Sequence, residues 1–137
     1  LEVTLIREVW RRANGLCEYC RLGQSQSDLT FEVDHIIARK HGGATRSGNL
    51  ALSCFRCNSF KGSDLSGLDP KTRKLTPLYH PRRHKWTRHF RWDGPYLVGR
   101  TPIGRVTIIV LKINDPLRVE VRRELIEEGA FPPAQDS

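Results

Sequence analysis

Two short cysteine pairs, Cys17-Glu18-Tyr19-Cys20 and Cys54-Phe55-Arg56-Cys57, offer the first chemistry in this chain. A C-x-x-C turn brings two thiolates to one point. Two such turns complete a tetrahedral four-sulfur site with no open position, the arrangement of structural zinc. Two other chemistries use the same residues. Paired disulfides suit secreted proteins, and the N-terminus shows no charged, apolar and small-residue succession of a signal peptide. A thioredoxin-like redox pair needs one C-x-x-C at a helix start and leaves the second pair unexplained. Structural zinc accounts for all four sulfurs.

The 33 residues between the pairs, 21 to 53, exceed the gap of about 15 to 20 in an ordinary zinc ribbon. The insertion contains Phe31-Glu32-Val33-Asp34-His35-Ile36-Ile37, a strand-like run, and then a basic turn, Arg39-Lys40-His41-Gly42-Gly43. Aspartate beside histidine is poor core material but good hydrolytic material. Asp34 is a hard oxygen ligand for a divalent cation. An imidazole with a pKa of about 6.5 is mostly neutral at pH 7, so His35 can take a proton from water. Neighbouring side chains on a regular strand point to opposite faces. The two serve one site only if the strand bends or ends there, and Gly42-Gly43 with Asn49 supply a loop to pin that bend. A tight zinc site contributes on the order of 10 kcal/mol of folding free energy in small domains, enough to fix so polar a loop.

The elements around this segment follow from local pattern. Residues 4 to 14 predict a helix capped by Thr4, with Leu5, Val9, Trp10 and Ala13 on one face, Arg11 and Arg12 in the last turn, and Gly15 as the stop. Residues 63 to 77 turn polar and predict a linker or surface loop. Thr107-Ile108-Ile109-Val110-Leu111-Lys112-Ile113 reads as a buried strand, with Tyr96-Leu97-Val98-Gly99 as its partner across the turn 101 to 104. Asp115-Pro116 is a helix-start signature, and Leu117, Val121, Leu125 and Ile126 form a stripe ending at Gly129. The tail from Pro132 to Ser137 is expected to be disordered. There is no internal repeat.

Length and composition, 137 residues with 38% hydrophobic and 28% charged, suit one ordinary globular domain. No stretch reaches the apolar length of a membrane span. Methionine is absent, so Leu1 reads as the start of a fragment. The formal charge of +8 and the isoelectric point near 9.8 favour a polyanionic partner. Between Lys71 and Trp92 eight Lys or Arg residues stand without an acid, interleaved with His80, His84, His89, Trp86, Phe90 and Trp92. Two readings compete: a solvated basic loop over a small aromatic cluster, or a surface that tracks phosphates. The second is favoured, with Arg82, Arg83, Lys85 and Arg88 as its contacts.

Cys17-x-x-Cys20, Val33-Asp34-His35-Ile36, Gly42-Gly43, Asn49-Leu50, Cys54-x-x-Cys57-Asn58 and Lys61-Gly62, taken together, resemble the HNH endonuclease family in its four-cysteine zinc form. The likeness covers residues 17 to 62. It implies an α+β fold: a zinc-clamped, treble-clef-like ββα-metal core at 17–62, after an N-terminal helix at 1–16. A linker at 63–78 and a basic C-terminal strand-and-helix extension at 79–137, packed on the core, would complete it.

By the same resemblance Asp34 matches the metal-ligating acid, His35 the general base and Asn49 the central asparagine. Asn58 stands where the family often has its last histidine, so the motif reads H-N-N. An amide oxygen is a hard ligand, which moves the expected metal toward Mg²⁺ or Mn²⁺. Lys61, one helical turn on, is expected to clamp a phosphate, with Arg39, Lys40 and Arg56 as further contacts. The expected activity is metal-dependent hydrolysis of DNA, inside a bacterial cytoplasm, without a small-molecule cofactor. The competing expectation is a non-catalytic, zinc-dependent nucleic-acid-binding module.

Overall fold

A computed structural model describes residues 1 to 134. Helices and strands are mixed throughout, and the chain divides into two units. The first comprises Leu1–Leu65 together with His80–Arg83. The second comprises Ser66–Tyr79 and the chain from His84 onward.

The first unit begins with helix α1, Val3–Ala13, which buries Val9 and Ala13. Thr4 lies inside the helix. Glu2 occupies the cap without a side-chain hydrogen bond, and Asn14 and Gly15 end the helix with left-handed backbone. Strands β1, Glu32–His35, and β2, Leu50–Ser53, pair antiparallel, with His35 opposite Leu50 and Asp34 opposite Ala51. All four residues of β2 are buried, whereas in β1 Glu32 is exposed and Val33, Asp34 and His35 are half-buried. Such a pair needs cover from elsewhere to be stable, and α1 packs on both strands. Two single 3₁₀ turns, Arg39–His41 and Ser47–Asn49, shape the loop between the strands. Helix α2, Phe55–Lys61, follows β2 directly and meets β1.

The second unit corrects several expectations. Residues 63 to 77 are not irregular throughout: β3, Ser66–Leu68, pairs with β4, Leu75–Pro77. Asp69 builds the turn between them, accepting the Thr72 amide and both arms of Arg105 at 2.9 and 3.0 Å. A short helix α3, Trp86–His89, leads into β5, Phe90–Asp93, which pairs with β6, Tyr96–Gly99.

The strand expected at 107–113 is a helix instead. Helix α4 spans Pro102–Val110, with Thr101 accepting the Gly104 amide and Pro102 in its first turn. A short apolar run does not distinguish buried strand from buried helix, and the Thr-Pro pair taken as a turn is the helix start. Packing decides the matter. A Cβ on Gly99 would lie 2.5 Å from the Arg105 nitrogen, and one on Gly104 would lie 2.1 Å from the His89 carbonyl oxygen. The bare backbones let α4 settle on β6.

Helix α5, Pro116–Glu127, starts at the expected Asp-Pro pair, but its buried face is Arg118, Val119 and Arg122. Leu117 and Val121, expected in the core, are exposed. The arginines win the inner face because each donates to backbone carbonyls. Arg118 donates to Leu111 and Lys112, and Arg122 donates to Pro95 and Ile113 while lying 5.4 Å over the Trp92 ring. Buried polar groups must be paired, and here they pair with helix and turn ends. Of the tail expected to be disordered, residues 135 to 137 lie outside the described residues.

Candidate active site

The four cysteines converge. Their sulfurs all lie within 4.8 Å of one another, all four residues are buried, and none is in a disulfide. Each pair makes the same small turn. The Cys20 amide faces the Cys17 sulfur at 3.5 Å, and the Cys57 amide faces the Cys54 sulfur at 3.4 Å, which also caps α2. Burial, with the neighbouring thiols, pushes Cys17 and Cys57 well above the usual thiol range. Four sulfurs so enclosed cannot hold four negative charges without a compensating cation, and their chemistry fits zinc. Among the described residues no other group of three or more His, Cys, Asp or Glu is placed to share an ion.

Glu18 ties this cluster to the hairpin. Its amide donates to the Leu52 carbonyl, its carboxylate accepts the Leu52 amide at 2.8 Å, and its other oxygen pairs with Arg82. Arg82, expected on phosphate, is therefore committed inside its unit. Burial, with Arg12 nearby, lowers its guanidinium to about 10, so it remains charged at neutral pH.

The loop between β1 and β2 is held by Asn49. Its side-chain oxygen accepts the Ile37 amide at 2.9 Å, and its nitrogen donates to the Ile37 and Ala44 carbonyls, each at 2.9 Å. Gly43 is forced by this arrangement, since a Cβ there would sit 1.8 Å from the Ile37 oxygen. Arg12 of α1 supports the same loop from behind, donating to the Ser47 hydroxyl, the Ser47 carbonyl and the Leu50 carbonyl.

Asp34 and His35 are the last two residues of β1, in register with Ala51 and Leu50 of β2. The His35 Nε2 lies 2.8 Å from the Thr45 hydroxyl, leaving Nδ1 as the other ring nitrogen. Lys61 comes from the last turn of α2. It is only 2% exposed, and its Nζ lies 3.4 Å from Asp34 Oδ2 and 3.3 Å from the His35 carbonyl. Burial raises the Asp34 carboxyl above its usual range, while Lys61 and His35 act in the opposite direction. Asn58 is three residues before Lys61 on α2, and positions so spaced share one helix face.

Thr45, Arg12 and Glu18 were missed from the sequence. Threonine in a glycine-rich turn carries no signal of its own, and Arg12 read as a helix-end charge. Of the other expected contacts, Arg39, Lys40, Arg56, Arg83, Lys85 and Arg88 are exposed. Trp86, His89 and Phe90 are buried, so those three form core beneath the basic stretch and offer no stacking face for bases.

Residues 17–64 match the HNH endonuclease family model, and this part of the chain is an HNH domain. Over 116 residues the chain is 28% identical to Septu protein PtuB of Bacillus thuringiensis, covering 83% of this chain and 42% of that protein. Over 146 residues it is 26% identical to Septu protein PtuA of Bacillus mycoides, covering 86% of this chain and 20% of that protein. The chain thus spans less than half the length of either relative. No solved structure matches it. No helix among the described residues is long and apolar enough to cross a membrane.

Proposed function

We propose that this protein is a metal-dependent endonuclease that hydrolyses phosphodiester bonds in DNA, leaving 5′-phosphate and 3′-hydroxyl ends. One observation supports this reading: the Lys61 ammonium of α2 faces the Asp34 carboxylate and the His35 carbonyl at the end of β1, beside a loop locked by Asn49. Such convergence of charged groups has little structural use, since burying them costs free energy.

His35 is the general base. With Nε2–H donating to Thr45, Nδ1 keeps its lone pair and accepts the proton of the attacking water. A base so placed contributes on the order of 10² to 10⁴ in rate. Asp34 and Asn58 are the residues that would hold a divalent ion. The fit rests on the half-buried Asp34 carboxylate and on the amide oxygen that Asn58 offers from α2. When bound, Mg²⁺ or Mn²⁺ would supply charge neutralisation at the phosphate and at the departing oxygen. Asn49 is a positioning residue, fixing the loop that presents Thr45. Arg39 and Lys40 in the loop, Arg56 on α2, and Arg83, Lys85 and Arg88 provide exposed charge for the phosphate backbone.

Cleavage of supercoiled plasmid in Mg²⁺ tests the reading. His35→Ala should abolish nicking while the cysteine cluster keeps its zinc. Cutting at the wild-type rate by this variant would remove His35 from the mechanism. The second reading, a zinc module that binds nucleic acid without cutting it, draws on the pairing of Asp34 with Lys61, which satisfies the carboxylate without an ion. DNA binding with no nicking in Mg²⁺ or Mn²⁺ would favour it.

A further inference from the structure

Lys61 is buried more completely than its expected task allows. A lysine that clamps a phosphate needs its ammonium in solvent, yet Lys61 is 2% exposed and its Nζ faces Asp34 and the His35 carbonyl. Both contacts, 3.4 and 3.3 Å, are longer than an ordinary N–H···O bond of about 2.7 to 3.2 Å. The ammonium therefore neutralises the carboxylate without being tightly held by it. A packing role alone would be served by leucine or methionine, without the cost of burying a charge.

We propose that Lys61 is a stand-in cation. Its ammonium occupies the electrostatic position of the divalent ion while the site lacks one, and an incoming ion must take Asp34 from it. The inference rests on the reading that Asp34 holds a divalent ion, and it adds a regulatory property to that site. Two cations cannot share one half-buried carboxylate without repulsion, so Lys61 weakens ion binding. In return it keeps Asp34 folded and in place when no ion is present. The site is then preformed but hard to load at low ion concentration, a threshold set by one side chain.

The test uses the zinc-loaded chain, so that added Mn²⁺ meets only the second site, with free Mn²⁺ read by electron paramagnetic resonance. Lys61→Met, matched in length and without charge, should bind Mn²⁺ on the order of tenfold more tightly than wild type. Asp34→Ala should lose the binding. Equal or weaker binding by Lys61→Met, with Asp34→Ala still abolishing it, overturns the stand-in role and leaves the metal assignment intact. Binding that persists in Asp34→Ala, or no binding by either wild type or Lys61→Met, overturns both. Should Lys61→Met fail to fold, acetylation of wild type followed by mass spectrometry decides. Lys61 labelling should rise when Mn²⁺ is added, and unchanged labelling despite Mn²⁺ binding rejects the idea.

Discussion

The His35 imidazole and the Thr45 hydroxyl lie 2.8 Å apart across the loop between β1 and β2. The contact fixes ring orientation without consuming Nδ1. Thr45→Val keeps the shape and removes the hydroxyl, so kcat should fall by about tenfold to a hundredfold while KM changes little. Thr45→Ser should recover most of the loss. A KM effect with unchanged kcat would place Thr45 in substrate binding instead.

Asn49 makes three hydrogen bonds from a buried position. Asn49→Ala leaves the Ile37 amide and two carbonyls without partners, at a cost of about 2 to 3 kcal/mol. Urea unfolding should show the loss, and nicking should fall with it. A variant as stable as wild type would mean that water replaces the amide.

Removal of the cysteine-bound ion should act on one unit. The chain should carry one zinc, measured by elemental analysis. Stripping it with a strong chelator should abolish hydrogen-exchange protection in β1 and β2, because small zinc-clamped domains depend on the ion for folding. The second unit contains none of the cysteines, so protection in β5 and β6 should persist. Protection that survived in β1 and β2 would show that packing alone suffices.

Asp69 gives the pH dependence a sign. Its hydrogen bonds from Arg105, and then from Thr72, hold the carboxyl far below the usual carboxylate range. A depressed folded-state pKa contributes stability that is fully present above the unfolded value of about 3.9 and is withdrawn as pH falls below it. Asp69→Asn should therefore lower stability at pH 7 and narrow its difference from wild type toward pH 2. Acid release of zinc affects both proteins alike, so the comparison isolates Asp69. A constant difference across that range would refute the assignment.

Arg82 and its basic neighbours should separate in a salt titration of DNA binding. Replacing Arg83, Lys85 or Arg88 by alanine should reduce the slope of log affinity against log salt by about one each. Arg82→Ala should leave that slope unchanged. It should instead cost about 3 kcal/mol of stability by leaving the buried Glu18 charge without its cation. A reduced slope for Arg82→Ala would return it to the DNA surface.

The sequence was most legible where residue type alone restricts chemistry. Cysteine spacing found the metal cluster, and Asp34 and His35 stood out because nothing apolar explained them. It was least legible where tertiary contacts overrule local pattern. The run 107 to 113 is β-branched, yet Gly99 and Gly104 admit a helix against β6. The α5 stripe pointed outward because two arginines reach carbonyls that no sequence rule places nearby. Lys61 showed its position as one turn beyond Asn58 but not its burial, which depends on how α2 meets β1.

The first unit is not one continuous stretch of chain: the charged partner of its buried Glu18 is Arg82, which arrives after β3 and β4 have been made. A chain emerging from a ribosome would thus expose every motif residue well before that buried carboxylate meets its cation. Completion of the first unit would lag synthesis of the recognisable motif by some twenty residues, roughly a second or more of translation. A gene truncated just past the motif would yield a chain with its chemistry spelled out and its fold unfinished.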